Sequence, residues 1–330
     1  MAVYTEVDDG ELAAFVASYG LGAVTSVHGI AEGVENSNYL VETAKGRFIL
    51  TLYEKRVVLS DLPFFLGLME HLAGKGISCP TPVKNSKGGA LGQLAGKPAA
   101  IVTFLEGISL KRPEPKHCAL LGTALAEFHL AGASFAVQRP NSLNLFAWRH
   151  LSENLGSDAD RVTPGLAGII QNELRTLDER WPKLLPFGVI HADLFPNNVF
   201  FLGDRLSGLI DFYFACNDFY AYDIAVCLIA WCFENNREFN VTKAEAMLAA
   251  YHRVRCIQPA EITAMPILAR GAALRFLLTR THDWLHTDRN ALVNPLDPTE
   301  YLRKLQLLQR VTSPAELGLG PISKLGPISK

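Results

Sequence analysis

The segment His191-Ala192-Asp193-Leu194-Phe195-Pro196-Asn197-Asn198-Val199 holds the densest chemistry in this chain of 330 residues. Asp193 stands just past an apolar run, Phe187–Ile190. Asn198 follows five residues later, ahead of the apolar Val199-Phe200-Phe201, and Asp211 ends the next apolar run, Leu206–Ile210. Transfer of a phosphoryl group needs this set. One carboxylate orients an acceptor hydroxyl and takes its proton. An amide oxygen and a second carboxylate hold Mg²⁺ against a triphosphate. Two strand ends joined by a tight loop bring such oxygens to one point. On this reading Asp193 is the base, Asn198 and Asp211 are the metal ligands, and His191 braces the loop. The bland alternative makes His191 and Asp193 a turn and Asp211 a strand cap, although all three polar positions fall at strand boundaries.

The elements that must position these groups are readable from periodicity. Residues 8–20 form an amphipathic helix. Val24–Ile30, Asn38–Thr43, Arg47–Tyr53, Leu91–Leu94 and Ala99–Phe104 are strands separated by turn residues. Asp61 before Leu62-Pro63 predicts an N-cap for a helix reaching Gly74. After Gly107 the chain turns helical, with apolar residues at helical spacing over Lys116–Ala131, Asn144–Leu155, Leu166–Trp181, Ala221–Phe233, Thr242–Arg255, Pro259–His286 and Pro298–Val311. The organisation expected is a sheet domain over 1–105, a mainly helical domain over 106–312 and a flexible tail over 313–330. That tail repeats the hexapeptide L-G-P-I-S-K, too few copies for a solenoid.

The pattern H-x-D-x-x-x-x-N followed by a strand-ending Asp, here H-A-D-L-F-P-N-N-V with L-I-D-F, resembles the aminoglycoside phosphotransferase and choline kinase-like superfamily over roughly residues 24 to 310. The resemblance implies a protein-kinase-like α+β fold of two lobes, a small antiparallel sheet lobe and a larger mainly helical one, with ATP between them. It places the phosphate-covering loop at Gly33–Asn38, with Val34, Asn36, Ser37 and Asn38 as nucleotide contacts, and the adenine against backbone groups near Thr103–Leu105. A Lys or Arg is expected on strand three, but Thr51 stands there. Lys45, Arg47 or Lys55 are candidate replacements, and Glu70 is a weak candidate for the ion-pair partner.

Within the superfamily, Glu32–Tyr39, Phe48–Glu54, Ile210–Ala215 and Ala230–Phe233 most resemble the branch whose acceptor is L-homoserine, and Thr51 is part of that match. Choline, methylthioribose or aminoglycoside acceptors, and a non-catalytic nucleotide binder, are the alternatives. A zwitterionic acceptor needs a cation for its carboxylate and acids or π faces for its ammonium. Among Arg270, Arg275 and Arg280 on the Pro259–His286 segment, Arg275 and Arg280 are the candidates for that cation.

Composition bounds the rest. Hydrophobic residues make up 49% and charged residues 19%, and the formal net charge is −2. A sizeable core can form, and no basic stripe suggests nucleic acid. Six cysteines with no C-x-x-C pair read as free thiols in a reducing compartment. The start is acidic (Glu6, Asp8, Asp9, Glu11), unlike a signal peptide, and Ile224–Phe233 is too short to span a bilayer. A cytoplasmic protein without a membrane partner is expected. His282 and His286 lack the H-E-x-x-H frame of a metal pair. Asp218, Tyr222 and Asp223 read as caps and anchors of the following helix, Trp231 as core, and His129 as a local hydrogen-bonding group. Gly96-Lys97 fails as a P-loop end because Pro98 follows.

Overall fold

In the computed structural model of the chain, residues 5–30, 36–54, 58–234, 238–287 and 294–320 are described. They fall into two compact units that divide between Glu106 and Gly107.

In the first unit, helix α1 (Asp9–Ser18) starts where the Asp8 carboxylate accepts from the amides of Gly10 and Glu11, satisfying donors that a helix start leaves open. Strands β1 (Val24–Gly29), β2 (Ser37–Thr43), β3 (Gly46–Leu52), β4 (Leu91–Leu94) and β5 (Lys97–Thr103) form an antiparallel sheet in the order β1-β2-β3-β5-β4. Alternation along β3 sends Phe48, Leu50 and Leu52 into a core with Tyr39, Val41, Ile101 and the Leu12, Phe15 and Val16 side chains of α1. Thr51 therefore lies on the opposite face, and register sets it across from Asn38. Helix α2 (Leu62–Gly74) buries Leu62, Phe65, Leu68 and Leu72. Asp61 does not cap it, contrary to expectation. A 3-10 turn over Leu59–Asp61 runs straight into the helix, so Asp61 already has helical dihedrals and makes no side-chain cap bond.

The second unit contains β6 (Ile108–Ser109), α3 (Pro115–Gly132), α4 (Leu145–Leu155), α5 (Leu166–Arg180), β7 (Phe187–Ile190), β8 (Val199–Leu202), β9 (Arg205–Leu209), β10 (Cys216–Phe219), α6 (Tyr220–Trp231), β11 (Phe233–Glu234), β12 (Glu238–Phe239), α7 (Val241–Val254), α8 (Pro259–His286) and α9 (Thr299–Leu308). Two short sheets, β6-β8-β9 and β7-β10, carry the loops of chemical interest. Strands β6, β10, β11 and β12 escape sequence reading because two to four residues show no period. Helix α8 is long and apolar enough to cross a membrane by composition, yet 67% of its apolar window is buried inside the protein. It is a core helix packed on α6 and α9. The flexible tail expected from residue 313 is corrected for residues 313–320. Ser313 caps a turn over Pro314–Leu317, and Leu317 and Leu319 are buried. The second copy of the hexapeptide lies outside the described residues.

Helices α3 and α7 meet closely because Gly122 has no side chain. A Cβ there would run into the Met247 carbonyl and lie 3.1 Å from the Tyr251 nitrogen. Gly122→Ala should therefore cost about 1–3 kcal/mol. Gly168→Ala on α5, where a Cβ meets nothing within 4 Å, should instead stabilise by about 0.5–1 kcal/mol. Urea unfolding midpoints of the two variants should move in opposite directions.

Candidate active site

The loop after β7 is held in an unfavourable shape. Ala192 has φ +63°, a left-handed conformation that a non-glycine residue rarely adopts. Its N–H donates to Asp223 Oδ1 at 2.8 Å, and its carbonyl accepts from the Arg275 guanidinium. Clamped from both sides, Ala192 aims the next residue, Asp193. The Asp193 carbonyl accepts from the Phe195 amide at 2.8 Å and from Asn198 Nδ2 at 2.8 Å. Its carboxylate lies 3.5 Å from Arg275 and its side chain is 17% exposed, so water and small molecules reach it. Burial pushes the Asp193 carboxyl up to about 6, against the lowering pull of Arg275.

Asn198 and Asp211 are brought together by strand register. Val199 on β8 pairs with Leu209 on β9, and the Ile210 amide donates to the Asn198 carbonyl at 3.0 Å. Asp211 follows directly, exposed and at φ +65°. The Asn198 amide nitrogen is spent on Asp193, which leaves its Oδ1 for a neighbour such as Asn197 Nδ2 at 3.2 Å. The pair thus offers one amide oxygen and one carboxylate. Among the described residues no cluster of three or more His, Cys, Asp or Glu side chains could hold a metal.

His191 is fully buried, and burial holds its pKa below the ordinary histidine value. Its Nε2 lies 3.0 Å from the Ile210 carbonyl, which can only accept, so Nε2 carries the proton. The ring ties the end of β7 to the end of β9. His282 and His286 stack on α8, with His286 Nδ1 bonded back to the His282 carbonyl at 2.8 Å.

Sequence reasoning missed the residue that holds the loop after β7. Asp223, on α6, caps nothing on its own helix. Its fully buried carboxylate accepts from the His191 amide at 2.7 Å, the Ala192 amide at 2.8 Å and His129 Nε2 at 3.1 Å. Burial favours its neutral form, but the hydrogen bonds from His129 and the loop amides outweigh that and hold its pKa below the ordinary carboxylate value. The chain of bonds continues from His129 Nδ1 to the Tyr251 hydroxyl at 2.7 Å, and Arg255 donates to the same oxygen at 3.1 Å. Trp231 does more than fill core: its indole N–H donates to the Leu194 carbonyl at 2.8 Å.

The three arginines of α8 part ways. Arg270 makes a two-point pair with buried Glu173, at 2.7 and 2.8 Å. Arg275 is buried against the Asp193 loop, its guanidinium over the Phe276 ring at 4.2 Å. Arg280 pairs with Glu300 of α9 at 2.7 Å.

In the first unit, the side chains expected near nucleotide mainly join β2 to β3. Thr51 donates to Asn38 Oδ1 at 2.8 Å, the Glu54 amide donates to Asn36 Oδ1 at 3.2 Å, and buried Ser37 donates to Glu54 at 2.7 Å. Thr103 Oγ1 accepts from the Thr81 amide at 2.9 Å, and Leu105 is half-buried. The candidate replacements for the missing strand-three cation are engaged elsewhere: Lys45 on the Gly20 carbonyl at 2.6 Å and Arg47 on Glu106 at 2.6 Å. Glu70 pairs with Lys84. Lys97, set aside as a failed P-loop end, pairs with Glu54. Val34 and Lys55 lie outside the described residues.

This architecture, with a sheet unit followed by a mainly helical unit in which a clamped loop links β7 and β8, is that of a kinase-like phosphotransferase. Residues 26–257 match the model of the phosphotransferase enzyme family, and the chain belongs to that family. The chain is 59% identical over 319 residues to a homoserine kinase of Parvibaculum lavamentivorans, covering 97% of this chain and 99% of that protein. It is 59% identical over 329 residues to a homoserine kinase of Nitrobacter winogradskyi, covering both chains in full. Among solved structures, an amicoumacin kinase in complex with AMP-PNP, Ca²⁺ and its substrate shares the fold at TM-score 0.70 and 16% identity, over 97% of this chain and 98% of that one.

Removing the Asp223 carboxylate strands two buried N–H groups and His129. Asp223→Ala should lower the unfolding free energy by about 3 kcal/mol, and Asp223→Asn, which keeps one acceptor, by less. The native state favours ionised Asp223, so protons bind the unfolded chain in preference. Its contribution to stability is full above the ordinary carboxylate pKa of about 3.9 and is lost as pH falls through the lower native value. Urea unfolding of wild type and Asp223→Ala between pH 7 and pH 3 should show the gap closing on acidification.

Proposed function

We propose that this chain transfers the γ-phosphoryl group of ATP to the side-chain hydroxyl of L-homoserine, giving ADP and O-phospho-L-homoserine. The observation that carries the acceptor is the near-full-length identity to proteins named homoserine kinase. The site supports the chemistry. Asp193 lies within reach of solvent at the end of a rigid loop and takes the hydroxyl proton as the oxygen attacks phosphorus. With its carboxyl raised to about 6, it is ionised at neutral pH yet more basic than an ordinary aspartate, the balance a general base needs. His191 is buried and neutral, so it holds the loop and does not take the proton.

Asn198 Oδ1 and the Asp211 carboxylate are the residues that would hold Mg²⁺, which when bound offsets the negative charge of the phosphate oxygens. The nucleotide is assigned to the first unit. Val34, Asn36, Ser37 and Asn38 form and flank the phosphate loop, Thr51 stands in place of a strand-three cation, and backbone groups of Thr103–Leu105 receive the adenine. Asn36, Ser37 and Thr51 act mainly by fixing the β2–β3 backbone, since their side chains already bond within the unit.

Asp193→Asn should keep the fold and ATP binding while cutting kcat by roughly 10²–10⁴-fold. A variant retaining half of the wild-type kcat removes Asp193 from the role. For the wild type, kcat/KM should fall tenfold per unit as pH drops below about 6, the value to which the Asp193 carboxyl is raised, because the protonated acid cannot accept a proton. A profile flat down to pH 5 contradicts the assignment. Asp211→Ala should abolish Mg²⁺-dependent turnover, and Asn198→Ala should weaken it; unchanged Mg²⁺ dependence in Asp211→Ala puts the metal elsewhere.

A further inference from the structure

We propose that the Arg280–Glu300 ion pair, together with Tyr301, is the device that selects a zwitterionic α-amino acid as acceptor, with Arg280 receiving the carboxylate and Glu300 the ammonium. This rests on the proposed phosphorylation of an amino-acid hydroxyl at Asp193.

The pair is connected to Asp193 by direct contacts. Arg275 lies 3.5 Å from the Asp193 carboxylate and over the ring of Phe276. Phe276 meets Phe195 of the catalytic loop at 4.9 Å and Tyr301 at 5.2 Å between ring centres. Arg280 stacks on the Tyr301 ring at 4.5 Å and bonds to Glu300. One continuous group of aromatic and charged side chains thus runs from the base to the ion pair. The Arg280 and Glu300 side chains are 14% and 21% exposed, open enough for a small molecule to reach.

The two carboxylate oxygens of Glu300 have different partners. Oε1 accepts from Lys304 at 2.8 Å, and Lys304 is fixed in turn by the Ile229 carbonyl at 3.0 Å. Oε2 is the one that faces Arg280. Lys304 therefore anchors Glu300 while the Arg280 contact remains the exchangeable one. The buried Tyr301 hydroxyl has no hydrogen-bond partner, as has the Nε of buried Arg275. Buried polar groups normally find partners, and a bound molecule is one source.

A zwitterion suits this arrangement for a reason of charge balance. Arg280 faces Oε2 of Glu300, while Lys304 stays committed to Oε1 and to the Ile229 carbonyl and takes no part in the exchange. An α-amino acid carries the same two charges on one carbon in the opposite sense. Laid against the pair, it replaces one ion pair with two, and no charge is left without a partner. An amino alcohol satisfies Glu300 and strands Arg280; a hydroxy acid does the reverse. In a partly buried site an unpaired charge is costly, so each incomplete ligand is rejected. In homoserine the hydroxyl stands two methylene groups from the charged carbon, which sets it apart from the pair in the direction of Asp193. Arg275, bound to the Ala192 carbonyl, positions the loop and takes no part in the clamp.

The test compares kcat/KM for L-homoserine, 3-amino-1-propanol (no carboxylate) and 4-hydroxybutanoate (no ammonium) in the wild type, Arg280→Gln, Arg280→Lys and Glu300→Gln. Glu300→Gln should lower the homoserine to 4-hydroxybutanoate ratio at least tenfold, mainly through KM for homoserine. Arg280→Gln should lower the homoserine to 3-amino-1-propanol ratio similarly, with Arg280→Lys recovering part of it. Both ratios unmoved, or all three acceptors falling in parallel through kcat, overturns the proposal and leaves the homoserine assignment standing. A wild type that phosphorylates another alcohol but not homoserine removes the assignment and this inference together. Thermal melts of each variant report folding separately, since Glu300 keeps Lys304 and Arg280 keeps Tyr301 when the pair is broken.

Discussion

One buried negative charge sets the shape of the loop after β7. Asp223 is inaccessible to solvent, and an isolated carboxylate in that position would be strongly disfavoured. It stays ionised because two loop amides and the His129 ring point at it. The arrangement is internally consistent. A carboxylate only accepts, so His129 Nε2 carries its proton, which leaves Nδ1 to accept from Tyr251. Burial keeps the His129 pKa below the ordinary value and its ring neutral. The carboxylate therefore works by fixing backbone, with no net transfer of a proton along the network.

Asp193 shows what the same side chain does without such donors. Its carboxylate has only long contacts beside it, Arg275 at 3.5 Å and Asn198 Nδ2 at 3.4 Å, and burial carries its pKa to about 6. Two aspartates joined through one loop thus differ because their surroundings differ: hydrogen bonds hold the Asp223 pKa down while its carboxylate fixes backbone, and burial raises that of Asp193. The loop between them carries the strain of left-handed Ala192, of order 1–2 kcal/mol for a non-glycine residue, which the Asp223 and Arg275 bonds offset. Asp211 has the same conformation at the end of the second loop. Both outliers flank the candidate site, where a backbone turned out of its ordinary minimum aims a side chain that a relaxed loop would point elsewhere.

The sequence carried the helices and longer strands well, because burial of one face imposes a period that survives without coordinates. Pro259–His286 is the clearest case, with a proline in the first turn and apolar residues along its length. The placement of Asp193, Asn198 and Asp211 beside strand ends was readable because spacing within one short segment reflects the geometry of those ends. Asp223 was not. Its partners are backbone amides about thirty residues away, and backbone leaves no trace in residue type. Arg275 and Arg280 look equivalent in sequence, yet five positions on a helix separate them by about 140° around the axis. One therefore meets the loop after β7 and the other meets α9. Lys97, rejected as a P-loop end because Pro98 follows, has a partner that the sequence does not show: its side chain pairs with Glu54.

The position of Arg275 explains how a cation can sit beside Asp193 without holding its pKa down. A two-point guanidinium–carboxylate pair, such as Arg270 with Glu173, would hold a carboxylate ionised and leave little affinity for a proton. Arg275 is denied that geometry. One of its terminal nitrogens is taken by the Ala192 carbonyl, and its plane lies over Phe276 with Phe214 at 5.2 Å. What remains for Asp193 is a single approach at 3.5 Å. That is close enough to orient the carboxylate and to temper the effect of burial, and too long to cancel it. The arginine that braces the loop through its backbone is thereby kept from cancelling the rise in the Asp193 pKa.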